Sequence, residues 1–165
     1  MYKYDLTQSG NGCEVYINLI SSSAGLTIKR QPHLLQLVKE VVAKKKLSGP
    51  RVLVEQEMGR VIGNSDVVVT TEKDTVFYAQ PHKKDVFSRY VKNRSVLPST
   101  QLTIVLQKDE EGSYEIIDTW VGANIPPFPG DSNEADDSRS YWETHALVVD
   151  TQVIQPKTIT KTSPY

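Results

Sequence analysis

From Gln101 to Gln107 the chain sets Leu102, Ile104 and Leu106 on one side of an extended backbone and Thr103 on the other. Asp109-Glu110-Glu111-Gly112 then reverses it, and Tyr114 to Val121 brings it back. A two-residue period closed by such a turn is an antiparallel hairpin, and an isolated hairpin is not stable in water. Its apolar side must be covered by something else in the chain.

The cover is written earlier. Pro32 sits where a helix can begin, and Leu34, Leu35, Val38, Val41 and Val42 recur at helical spacing until Lys44-Lys45-Lys46, whose charges suit a helix C-terminus; Gly49-Pro50 follows. Ahead of this helix, Glu14 to Ile20 alternates Val15, Ile17 and Leu19 as a strand, ended by Ser21-Ser22-Ser23. Arg51–Glu57, Val61–Thr71 and Thr75–Ala79 read as further strands. Val86–Val91 fits a helical stripe as well as a strand, and its β-branched and aromatic content favours the strand. Ile125-Pro126-Pro127-Phe128-Pro129-Gly130 cannot continue a ladder and reads as a rigid crossover. Asp136-Asp137-Ser138 offers caps for a short helix toward Glu143, and Ala146–Val149 is a last strand. The expected fold is α+β: an N-terminal strand and helix packed on a several-stranded, mostly antiparallel sheet. Residues 1–155 are expected to form one domain, with 156–165 a flexible polar tail.

A length of 165 residues with 38% hydrophobic side chains suffices for a real core. Net charge is only -1, but the charges are segregated. Residues 29–51 hold seven basic side chains against Glu40, residues 81–95 hold five against Asp85, and from Lys108 to Asp150 eleven acids face only Lys108 and Arg139. A general nucleic-acid coat is excluded, so polyanion binding must come from a local patch. Cys13 alone forms no internal disulfide, which fits the cytoplasm. His33, His82 and His145 lack ligand spacing, so neither metal nor cofactor is expected; nor is a membrane span, signal peptide or membrane partner.

The runs Thr75-Val76-Phe77-Tyr78-Ala79, Phe87-Ser88-Arg89-Tyr90-Val91-Lys92-Asn93-Arg94, Pro98-Ser99-Thr100, Leu102-Thr103-Ile104-Val105-Leu106, Trp120-Val121-Gly122, Pro126-Pro127-Phe128-Pro129-Gly130-Asp131 and Trp142-Glu143-Thr144-His145-Ala146-Leu147 resemble a family of small, largely uncharacterised bacterial proteins over residues 50–150. The order of elements and the basic sheet face are similar to the metal-independent ribonucleases of the barnase, RelE and EndoU-like group, many of them toxins. The paired histidines of an EndoU-like site are absent here. The resemblance implies a toxin-like endoribonuclease cleaving RNA by 2'-hydroxyl attack, with RNA as substrate and an antitoxin or immunity protein as partner.

Cutting a phosphodiester without a metal requires moving a proton at the 2'-hydroxyl and stabilising a doubly charged phosphate. An unperturbed imidazole changes charge near neutrality, so His145 is the candidate acid or base, Arg89 and Lys92 the candidate charge stabilisers, and Thr103 the hydroxyl that orients a phosphate oxygen. Arg94 adds charge, and Tyr90 and Trp120 are candidate base-stacking platforms. The same residues also fit a bland reading, with the histidine closing a helix–strand joint and aromatics filling core. A second reading is a non-catalytic module that binds nucleic acid or protein through the basic sheet face. The nuclease reading requires the cations of the middle of the chain to gather with His145 in one concavity.

Overall fold

The computed structural model describes residues 3–149 and 153–165, with side chains from residue 7 onward. Six of its strand pairings are antiparallel and two are parallel, so the expected α+β class holds, with an N-terminal strand and helix on a mostly antiparallel sheet. The chain divides into two compact units, one built from the polypeptide up to Ile62 plus Thr100–Ala123, the other from Gly63–Ser99 plus everything from Asn124.

The first unit holds β1 (Lys3–Gln8), β2 (Glu14–Asn18), α1 (Ser23–Arg30), α2 (Leu34–Ala43) and β3 (Arg51–Glu57). It continues, after the excursion into the second unit, with the expected hairpin, whose strands are numbered in chain order below. That second unit contributes β4 (Gly63–Ser65), β5 (Val67–Val69), β6 (Val76–Ala79), β7 (Ser88–Val91) and β8 (Leu97–Ser99). The hairpin follows as β9 (Gln101–Lys108) and β10 (Tyr114–Val121), and α3 (Ser138–Thr144) and β11 (His145–Val148) return to the second unit.

In the first unit the strand order is β1-β2-β10-β9-β3, with β9 central enough to be hydrogen-bonded on both sides. Leu102, Ile104 and Leu106 point into the core as their alternation requires, and meet Leu34, Val38 and Val42 of α2. Full burial of each such side chain contributes about 1.5–3 kcal/mol. Tyr114 is also fully buried, and its hydroxyl donates to Gly49 O at 2.7 Å, so the ring enters the core without an orphaned polar atom.

Helix α1 lies where the sequence suggested only a serine-rich break. Ser22 is its N-cap, its side chain accepting from Gly25 N at 2.9 Å, and Lys29 and Arg30 occupy the last turn. Gly25, a poor helix former, obscured the pattern, yet it is required for close packing: a Cβ there would lie 2.4 Å from Asn18 O and 2.8 Å from Leu19 Cα. Gly25→Ala is expected to destabilise the protein by about 1–3 kcal/mol, read as a lowered urea midpoint, because backbone rather than a flexible side chain must move.

In the second unit β5-β11-β7-β6 form one sheet and β4 pairs with β8. The single strand expected over Val61–Thr71 is thus two short strands with different partners, divided at Asp66. Trp142 of α3 is 1% exposed, stacks on Phe128 at 3.9 Å and donates its indole N–H to Pro126 O at 3.1 Å. The proline-rich crossover is held in place by this contact. Asp137 makes no side-chain cap; Ser138 Oγ instead accepts from Ala135 N. The segment after Gln155, expected to be loose, lies along β6. Tyr78 and Thr160 exchange backbone hydrogen bonds of 2.8 Å in both directions, and Gln155 N donates to Gln80 O. Among the described residues no helix is long and apolar enough to cross a membrane.

Candidate functional site

Strand β7 sends successive side chains to opposite faces of its sheet. Tyr90 goes to one side, where it stacks on Phe77 with ring centres 5.4 Å apart, and Arg89 goes to the other. There Arg89 Nη1 donates to Thr70 Oγ1 at 2.8 Å and to His145 O at 3.0 Å, tying β7 to β11 and to the residue that follows β5. Its Nε is buried and has no hydrogen-bond partner among the described residues. A guanidinium N–H shut off from water in this way is costly unless an acceptor reaches it.

Tyr78 lies opposite Arg89 in the β6–β7 ladder, and Tyr165 sets its ring edge-on against Tyr78 at 5.8 Å. The Tyr165 hydroxyl is also buried without a partner among the described residues. Burial pushes its phenol up to about 12, Tyr78 adds to the rise, and Arg89 and Arg139 pull it back; at neutral pH it is a proton donor. Tyr78, Arg139, Trp142, Glu143, Ser163 and Tyr165 line a cavity of about 80 Å³ at this place. That volume holds one carboxylate or phosphate group, and not a nucleobase with its sugar.

His145 closes α3 and opens β11. Its imidazole lies flat on Tyr141, with ring centres 3.8 Å apart and planes 8° apart. Nδ1 is 2.9 Å from Tyr141 O, and since a carbonyl only accepts, Nδ1 is the donor. The register pairs His145 with Val69, Leu147 with Val67 and Leu147 with Tyr90, which puts the imidazole on the Tyr90 face of the sheet. Arg89 extends from the other face. The two expected partners meet only through the His145 backbone carbonyl.

Within the second unit, Lys92 and Arg94 do not gather with either. Lys92 shares the imidazole's face, with its ammonium 5.2 Å above the Phe77 ring, but it is four positions further along than the residue level with His145, about 13 Å at strand rise. Arg94 is committed to Asp74 at 3.2 Å and to Val69 O at 3.1 Å. Hydrogen bonding from Thr71 N, then the Arg94 charge, hold the Asp74 carboxyl below its ordinary range despite some desolvation. Tyr90 is not a base platform, because its ring is wholly buried in the core. Thr103 does not face solvent: it is 1% exposed, in the first unit, and its hydroxyl donates to Gly122 O at 2.9 Å. Trp120, also in the first unit, is half-buried and spends its indole N–H on Ala123 O. Arg139, Tyr78 and Tyr165 escaped notice as candidates; Tyr165 in particular falls in a stretch whose polar composition gives no sign of burial.

Comparison with protein-family models, with curated proteins and with solved structures returns no match for this chain.

Proposed function

We propose that this chain is a non-catalytic binding module whose second unit takes a single oxyanion group, carboxylate or phosphate, in the cavity between β6, α3 and the C-terminal segment. The observation that carries this reading is the buried Tyr165 hydroxyl, a donor without an acceptor among the described residues, in the wall of a cavity that also presents Arg139, with Arg89 near enough for its charge to act on the phenol. Buried donors in folded proteins are nearly always paired, so an acceptor brought by a ligand into the cavity relieves the Tyr165 hydroxyl. A charge-assisted bond to a bound oxyanion contributes about 1.5–3 kcal/mol.

The surroundings favour a lone anionic group over a nucleic-acid strand. Glu143 lines the cavity and Asp131, Asp136 and Asp137 precede α3, while Glu134 is paired with Arg139 at 3.7 Å, so a run of phosphates would meet more repulsion than one anionic group. A nuclease would need the imidazole and the guanidinium on the same side of the sheet.

Titrating the protein with inorganic phosphate and with acetate, followed by backbone amide NMR, is expected to shift β6, α3 and the C-terminal segment. Tyr165→Phe and Arg139→Gln, which spare the Arg89 bonds to Thr70 and His145, are each expected to weaken binding roughly ten-fold. Absence of any shift refutes the reading. Incubation with total RNA under excess chelator is expected to leave the RNA intact; fragments that disappear with His145→Ala would overturn it in favour of a ribonuclease.

A further inference from the structure

The outer edge of β3 is the longest sheet edge of the described strands that no other strand covers. It ends the order β1-β2-β10-β9-β3, runs for seven residues, and keeps one register against β9 throughout, without a bulge. Pro50 O accepts from Lys108 N at one end and Met58 N donates to Thr100 O at the other. In an antiparallel ladder this phase turns the N–H and C=O groups of Val52, Val54 and Gln56 toward β9, and those of Arg51, Leu53 and Glu55 outward. The edge of β6 is dealt with differently, since the segment around Thr160 pairs with it.

Natural sheets guard such edges with short strands, prolines, bulges or charge. Here only charge is used, and its arrangement is selective. Arg51 and Glu55 flank Leu53 symmetrically, and Leu53 is 47% exposed. We propose that β3 pairs antiparallel with β3 of a second copy of this chain, about a two-fold axis between the two Leu53 residues. In that register each Leu53 lies against its counterpart, and each Arg51 lies opposite Glu55 of the second copy. The outward-facing residues of one strand then fall opposite the outward-facing residues of the other, so every free N–H and C=O of Arg51, Leu53 and Glu55 finds a partner. Strands that lack this charge order meet an unmatched Arg51 or Glu55, which makes the edge specific for itself. Glu57 is not needed, because its carboxylate already accepts from Gly59 N at 2.9 Å and Thr100 Oγ1 at 2.9 Å. A cleft of about 430 Å³ lined by Lys45–Leu47 and Val52–Glu55 runs beside the strand and leaves room for the approaching backbone. The result is one continuous sheet shared by two first units, an isologous closed contact.

Light scattering after size exclusion, over concentrations up to the millimolar range, is expected to show the wild-type mass doubling. Arg51→Glu alone or Glu55→Arg alone sets like charges opposite each other and is expected to leave a monomer. The combined Arg51→Glu, Glu55→Arg protein restores every pair and is expected to regain the dimer. Both positions are exposed, and far-UV circular dichroism checks that each of the three variants folds. A wild-type monomer at every concentration overturns the inference, as does a dimer indifferent to the single changes or a double variant that stays monomeric.

Discussion

Carrying the protein from below pH 10 to above pH 12 is expected to remove about 2.7 kcal/mol from the second unit through Tyr90 alone, the free energy of holding a phenol at about 12 instead of 10.0. Burial pushes this phenol up to about 12 from 10.0; the Ser88 hydroxyl lies close enough to ease ionisation slightly, without an ordinary hydrogen bond, and Asp66 opposes it. The sign follows from which form the fold prefers. A folded value above the unfolded one means that the native state favours the neutral phenol. Its contribution is complete below pH 10 and is lost as pH rises through 12. Tyr165, pushed up to about 12 mainly by burial, acts in the same direction. Tyrosinate absorbance and near-UV circular dichroism should therefore rise and collapse together, as one transition. Tyr90→Phe should soften that transition at almost no cost at neutral pH, since the hydroxyl it removes is buried and unpaired. Tyr16 in the first unit, raised to about 12 by burial and by its hydrogen bond to Asp109, should keep a residual alkaline step in that variant. Ionisation of Tyr90 near pH 10 with the packing intact would mean that its ring is not enclosed as described.

Periodicity in the sequence revealed what periodicity controls. Strand β9 and strand β10 begin and end within one residue of the expected hairpin, and α2 covers the expected apolar stripe, because both patterns are long and regular. Where packing decides, local composition misled: the Ser21-Ser22-Ser23 run reads as a break, yet α1 starts at Ser23 and needs Gly25 for its close approach to Asn18. Thr103 illustrates a different limit. Alternation assigns it correctly to the side opposite Leu102 and Ile104, but cannot say whether that side is wet, and it is dry. For the candidate site, Arg89 was visible as a cation in a cluster, while its commitment to Thr70 and His145 O depends on a parallel pairing of β7 with β11 that joins residues more than fifty positions apart. The cavity depends on a further long-range contact, Tyr78 with Tyr165, and composition points away from it.

Trp142→Ala should cost about 3–5 kcal/mol, a large share of the 5–15 kcal/mol typical of whole proteins, and leave the second unit close to unfolding. The indole touches three things that nothing else replaces. It stacks on Phe128 at 3.9 Å, meets the edge of Tyr141 at 5.0 Å, and donates to Pro126 O at 3.1 Å, so the crossover and α3 are both anchored on it. Since Tyr141 in turn carries the His145 ring, the loss should spread to the β11 entrance, and amide exchange of Leu147 and Tyr90 should quicken well beyond that of the first unit. Trp142→Phe separates the terms: it keeps an aromatic stack and removes the indole N–H, so about 1 kcal/mol should be lost, with Pro126 O left to find water. The alanine variant should also abolish phosphate and acetate binding because Trp142 lines the cavity, whereas the phenylalanine variant should retain it. An alanine variant that loses less than about 1 kcal/mol would place this indole outside the core, for only a side chain with solvent on one face can be deleted so cheaply.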